Sequence, residues 1–175
     1  MKNLGFIGVA SIAAALAAPG ASAESIVYNS AAAPNGTHLS SGAPGCTVNN
    51  LMVSCNSFDL AGVGNVNATV TLSITYGGTV QCTNAGGNVA PGQTKFPSLS
   101  EGPQKVSPKN GKMTIPALST AFLTLDEIKA ALMQNTQCPN GKWTKSVVSD
   151  SVTLVGWSET VKFTGFAGAY LIISG

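Results

Sequence analysis

The chain has 175 residues, 44% of them apolar and only 9% charged, with a formal net charge of +2 at pH 7. All nine cations are lysine, so there is neither a strong field nor the planar guanidinium fork that grips phosphate, and nucleic acid is excluded as an expected partner. The same balance leaves room for one domain with a sizeable core.

Residues 1–23 begin with Lys2, continue through an apolar run from Phe6 to Ala18 and end on Ala21-Ser22-Ala23 before Glu24. A basic start, an apolar middle and an A-x-A exit predict a secretory signal peptide that is cleaved, and a product that works outside the cell or in the periplasm. The run is shorter than the roughly 20 residues a spanning helix needs, and no Cys follows the exit to accept a lipid, so no transmembrane segment is expected.

Residues 24–45 open with Ile26-Val27-Tyr28, a short first strand, and continue as an Ala/Ser/Gly/Pro-rich stretch from Asn29 to Gly45 that reads as a flexible segment. The domain proper is expected over 46–175. Leu51 to Leu60 reads as a strand, turned by Ala61-Gly62-Val63-Gly64. Next, Val66, Ala68, Val70, Leu72, Ile74 and Tyr76 alternate with polar residues, the period-two pattern of a half-buried antiparallel strand. Gly77-Gly78 reads as a hairpin turn, with Thr79 to Cys82 as the returning strand and Cys82 pointing inward. Asn84 to Gly92 reads as turns. Further strands are expected at Lys112 to Leu118, Trp143 to Val148, Val152 to Trp157, Thr160 to Thr164 and Ala169 to Ile173.

One helix interrupts the strands. Thr124-Leu125-Asp126-Glu127 fits a capping box with Leu123 and Ile128 as a flanking staple, and Leu125, Ile128, Ala131 and Leu132 make an apolar stripe, so a helix is expected over about 125–134. Short strands rich in Val, Thr and Ser around a single helix predict a mainly β fold, an antiparallel immunoglobulin-like β-sandwich.

Cys46, Cys55, Cys82 and Cys138 allow three disulfide connectivities. Closeness in sequence favours Cys46 with Cys55, leaving Cys82 with Cys138. Zinc needs paired Cys or His spacings, and the one histidine, His38, stands alone, so no metal and no cofactor is expected.

Phe58-Asp59-Leu60-Ala61-Gly62-Val63-Gly64-Asn65, Cys82-Thr83-Asn84-Ala85-Gly86-Gly87-Asn88 with Pro91-Gly92, Pro108-Lys109-Asn110-Gly111 and Cys138-Pro139-Asn140-Gly141-Lys142-Trp143-Thr144 carry a resemblance. Over about residues 51–155 the chain resembles small secreted bacterial β-sandwich proteins of uncharacterised function. The resemblance implies a secreted sandwich with Cys82 and Cys138 paired, and it implies no activity. The helix from Thr124 and the chain beyond Trp157 fall outside it.

Catalytic patterns are missing. His38 lies in the flexible stretch, where nothing orients it as a base for a serine nucleophile. Gly156-Trp157-Ser158 lacks the closing glycine of a nucleophile elbow. The acids are scattered, and a hydrolase would require Asp59, Asp150 and Glu159 to converge in a cleft. Binding would draw on Trp143 and Trp157 as an exposed stacking pair, or on Lys105, Lys109 and Lys112 as a basic turn for an anionic envelope polymer. The favoured reading instead packs Trp143 on a disulfide in the core and leaves the lysines solvated at a strand edge.

The expectation is therefore a secreted, non-enzymatic module with a structural or binding role at the envelope or outside the cell. Its partner would be an envelope polysaccharide or a protein, and the chain a monomer or weak homo-oligomer. The alternatives are a small secreted hydrolase and a subunit of a surface assembly whose edge strand, Ile26 to Tyr28 or Ala169 to Ile173, pairs with a neighbour.

Overall fold

A computed structural model describes residues 24–175, so the signal peptide read in residues 1–23 lies outside the described residues. In chain order the elements are β1 (Ser25–Tyr28), β2 (His38–Gly42), β3 (Cys46–Asn49), β4 (Met52–Cys55), β5 (Phe58–Ala61), β6 (Ala68–Thr83), β7 (Val89–Lys95), β8 (Ser98–Val106), β9 (Lys112–Ile115), α1 (Leu125–Gln134), β10 (Thr144–Val147), β11 (Thr153–Phe163) and β12 (Leu171–Ser174). The fold is mainly β with antiparallel pairing and one α-helix, as the alternation and the capping box predict.

The period-two run builds β6, which organises the large sheet. Its first half pairs with β8 on one side and β11 on the other, and its second half with β7 and β10. Beyond β11 come β12 and then β1, which forms the outer edge. A small sheet in the order β2-β5-β9 supplies Phe58, Leu60, Met113 and Ile115 to the same core as Val70, Leu72 and Ile74 of β6 and Val161 and Phe163 of β11. Two sheets bury their inward faces together because each has only one apolar face to remove from water.

Gly77 and Gly78 do not turn the chain. The strand runs through them, and the hairpin turn lies at Asn84–Asn88, where the Asn84 side chain accepts from the Gly86 and Asn88 amides at 3.0 and 2.9 Å. The inward phase of Tyr76 continues unbroken to Val80 and Cys82. The glycines serve close packing instead: a Cβ at Gly78 would lie 2.6 Å from Leu132 Cδ1, and one at Gly77 2.8 Å from Val155 Cγ2.

β7 and β8 occupy a stretch whose first part, Asn84 to Gly92, the sequence reads as turns, because Pro91, Gly92, Pro97 and Pro103 hide the pattern. Among the described residues both strands pair only with β6 and form an edge, where a missing N–H facing solvent costs no ladder bond. The expected strand from Leu51 to Leu60 splits at Asn56–Ser57 into β4, in a hairpin with β3, and β5, in the small sheet. Val152 to Trp157 and Thr160 to Thr164 join as one strand, β11, with a bulge between Leu154 and Gly156.

The stretch from Asn29 to Gly45, expected to be flexible, carries a 3-10 turn with Ala32 fully buried and the strand β2. Every residue of β2 is exposed, so backbone bonding to β5, and no apolar pattern, holds it in place.

Helix α1 starts as its sequence dictates. The Glu127 amide donates to Thr124 Oγ1 at 3.2 Å and the Thr124 amide donates to Glu127 Oε2 at 2.8 Å, closing the capping box. Ile128 and Leu132 are buried against β6 and β10, whereas Leu125, expected in the stripe, is exposed. Burying Leu132 contributes about 2 kcal/mol by area. The chain after α1 is tied back by the Cys82–Cys138 disulfide, and the Lys145 ammonium donates to Met133 O at 3.0 Å near the helix C-terminus.

Candidate functional site

The one charged side chain in the core among the described residues is Glu159. Along β11 the residues Trp157, Glu159, Val161 and Phe163 share the inward phase, so the carboxylate is carried into the interior by the same alternation that buries its neighbours. Its register partners are Leu72 on β6 and Ile173 on β12, both fully buried. Glu159 itself has 0% exposure, and neither carboxyl oxygen has a hydrogen-bond partner among the described residues. Desolvation with nothing to offset it raises its pKa from 4.5 to about 7.

The chemistry facing this carboxyl is sulfur. The Cys46 and Cys55 sulfurs and a Glu159 carboxyl oxygen all lie within 4.8 Å of one another. The two cysteines are directly opposed on β3 and β4 and are joined in a disulfide, with Cα atoms 3.9 Å apart. The Asn56 amide donates to Gly45 O beside them, which places the bridge at a non-hydrogen-bonded pair, the position where facing Cα atoms come closest. Cys55 is buried at 4% exposure and Cys46 is half-buried. Bonded to each other, the sulfurs offer no thiolate, so the trio is not a metal site in this state.

The hairpin is pinned from both sides. The Val53 and Cys55 amides donate to Thr120 Oγ1 and Leu118 O at 2.9 and 2.8 Å, while the Cys46 amide donates to Glu24 Oε1 at 2.6 Å. β4 therefore belongs to the body of the domain, and β3 hangs on its ladder to β4, the disulfide and the Glu24 carboxylate.

All four cysteines are paired as Cys46–Cys55 and Cys82–Cys138, the arrangement that closeness in sequence favours. Asp59, Asp150 and Glu159 do not converge. Asp59 faces outward from β5, accepting from Ser41 Oγ at 2.6 Å and Thr114 Oγ1 at 2.7 Å, and these bonds, then Lys112, hold its carboxyl below the usual range. Asp150 is exposed in a turn with φ 59°, and the Glu159 carboxyl has no hydrogen-bond partner among the described residues. Ser158 lies within β11, not on an elbow, and His38 is exposed with its Nδ1 2.8 Å from Gly36 O.

Trp143 and Trp157 do not form an exposed pair. Trp157 is in the core, as are Tyr76 and Tyr170, while Trp143 is only partly buried and outside the core, because it sits in the turn that leads into the edge strand β10. The expectation that Trp143 packs in the core on a disulfide is corrected accordingly. Lys105 projects from β8 and Lys112 begins β9, with Lys109 bridged to Lys112 across a tight turn; all three are exposed and contribute no enclosed site.

Among the exposed large apolar side chains, Ile26, Val27 and Tyr28 follow one another on β1. Ile26 and Tyr28 have the inward phase of Ile173 and Leu171 yet are 42% and 46% exposed, because the small sheet does not extend over this edge. Val27, 53% exposed, faces outward beside the exposed Ile172. A shallow depression of about 380 Å³ at the end of β11 is lined by Thr69, Lys162, Phe163, Thr164, Gly165 and Phe166.

Among the described residues no helix is long and apolar enough to cross a membrane. Alternation along β11 could have flagged Glu159 in the sequence, since a strand joining Trp157 to Val161 must turn residue 159 inward. No protein-family model, no curated protein and no solved structure matches the chain, so the resemblance to secreted bacterial proteins rests on its turn and cysteine motifs alone.

Proposed function

We propose that this chain is a secreted, non-enzymatic immunoglobulin-like sandwich with a structural or binding role, joining a neighbouring subunit through the edge strand β1. The observation that carries the reading is the half-exposure of Ile26 and Tyr28, two inward-phase apolar residues on a strand whose outer edge has no partner among the described residues. An edge of this kind accepts another strand, gaining backbone hydrogen bonds and covering the apolar side chains at once. Two antiparallel sheets around one core support the sandwich architecture, and two disulfides together with the leader read in residues 1–23 support a place outside the cytoplasm.

The hydrolase alternative loses its motivation because its three acids stay apart. Polysaccharide stacking loses its tryptophan pair. The test is sedimentation of the purified protein over a wide concentration range, beside an Ile26→Lys variant. Mass that grows with concentration in the parent and stays monomeric in Ile26→Lys supports the reading; a constant monomer mass in both removes self-pairing through β1.

A further inference from the structure

Glu159 and the Cys46–Cys55 bridge form a unit that a purely structural role does not account for. A buried carboxyl without a hydrogen bond costs stability, and a leucine in its place would fill the site without that cost. Its surroundings narrow what it can act on. From β6 and β12 it meets Leu72 and Ile173, which are apolar, and from the β3–β4 hairpin it meets the two sulfurs. No charged group contributes to its pKa shift, which has burial as its only cause. The other ionisable group at the bridge is Glu24, exposed and engaged with the Cys46 amide. Tyr76, also in the core, donates its hydroxyl to Leu51 O at 2.9 Å and is occupied.

We propose that Cys46–Cys55 is an exchangeable disulfide, opened by an external dithiol, and that Glu159 supplies the proton to the departing Cys55 sulfur. The two sulfurs are unequal in the way this requires. Cys46 is half-buried and can be approached, whereas Cys55 is buried, where a free thiolate is strongly disfavoured.

In the first step a thiolate of the dithiol bonds to Cys46 Sγ, the Cys46–Cys55 bond breaks, and its electron pair passes to Cys55 Sγ, which takes the proton of the Glu159 carboxyl. The second thiol, deprotonated, then attacks the dithiol's own sulfur in the mixed disulfide. Cys46 leaves as a thiolate and is protonated by water. The protein gains two electrons and two thiols, and the dithiol is oxidised to its disulfide. Opening the bridge frees β3 from one of its three restraints, which admits water to Glu159 and stabilises the carboxylate that proton transfer leaves behind. In the reverse direction the Glu159 carboxylate accepts the Cys55 proton as the bridge re-forms.

The second bridge is an internal control. Among the described residues no carboxyl shares the same proximity to both Cys82 and Cys138. Each bridge joins a buried cysteine to a half-buried one, so exposure does not set them apart, and it would not give either rate a titration belonging to Glu159.

The test is reduction of the purified protein by dithiothreitol between pH 5.5 and 9, acid-quenched, alkylated and read bridge by bridge by peptide mass, with each rate divided by the dithiothreitol thiolate concentration. The expected result is that Cys46–Cys55 opens first and that its normalised rate falls as the pH rises through about 7, the pKa of Glu159. Glu159→Gln should open on the order of tenfold or more slowly at pH 6, with a flat normalised profile, a size in keeping with loss of a general acid. A flat wild-type profile overturns the proposal without any variant, as does preferential opening of Cys82–Cys138 or a Glu159→Gln profile that matches wild type.

Discussion

Leu132 of α1 fills the space that a side chain at Gly78 of β6 would need: a Cβ there would lie 2.6 Å from Leu132 Cδ1 and 3.1 Å from Cδ2. The helix is seated on a bare stretch of strand backbone. Gly78→Ala should cost about 1–3 kcal/mol by overpacking, and Leu132→Ala about 2–5 kcal/mol through the cavity it leaves. The double variant should cost clearly less than the two together, since removing Leu132 makes room for the new methyl. Urea unfolding of the four proteins measures this coupling, and strictly additive costs would show that the residues do not compete for one space.

Glu159 makes stability depend on pH in a direction opposite to an ordinary carboxylate. Its pKa rises from 4.5 to about 7 on folding, so the folded protein keeps a proton that the unfolded chain has already released. The contribution is complete below pH 4.5, declines above it and is gone once the pH has risen through about 7. Its size is about 3 kcal/mol by linkage. Melting temperatures across pH 5 to 8 should therefore fall by several degrees in wild type and stay level in Glu159→Gln. Asp59, whose pKa is lowered by Ser41 and Thr114, works the other way and loses its contribution only in acid.

The two bridges should differ in worth. Cys82–Cys138 spans 56 residues and Cys46–Cys55 spans 9. The chain-entropy account assigns about 4 kcal/mol to the first and somewhat under 3 to the second. Alanine replacement of each pair, followed by denaturant unfolding, should lower stability more for the long-range bridge; the reverse order would mean that the β3–β4 hairpin contributes more than closure of its loop.

Thr124→Ala should destabilise the protein by about 1 kcal/mol, because the Glu127 amide loses the side-chain oxygen that caps it. Thr124→Ser keeps that oxygen and should restore most of the loss in the same unfolding experiment. Failure of serine to restore it would trace the cost to the threonine methyl.

The residues alone determined the elements whose physics is local. Strand β6 follows from strict alternation, α1 from a capping box and an apolar stripe, and the cysteine pairing from the nearness of Cys46 to Cys55. Tertiary structure decided whatever depends on which surface lies opposite. Gly77-Gly78 has the composition of a turn, and its place within a strand depends on what packs there, Val155 of β11 on Gly77 and Leu132 of the helix on Gly78; β7 and β8 carry prolines that are tolerable only because these strands lie at an edge. Glu159 is one polar residue among several in sequence. It becomes singular only when β11 runs unbroken from Trp157 to Phe163, turns the carboxyl inward and brings the β3–β4 disulfide against it, since burial and proximity are properties of the assembled core and not of any stretch of chain.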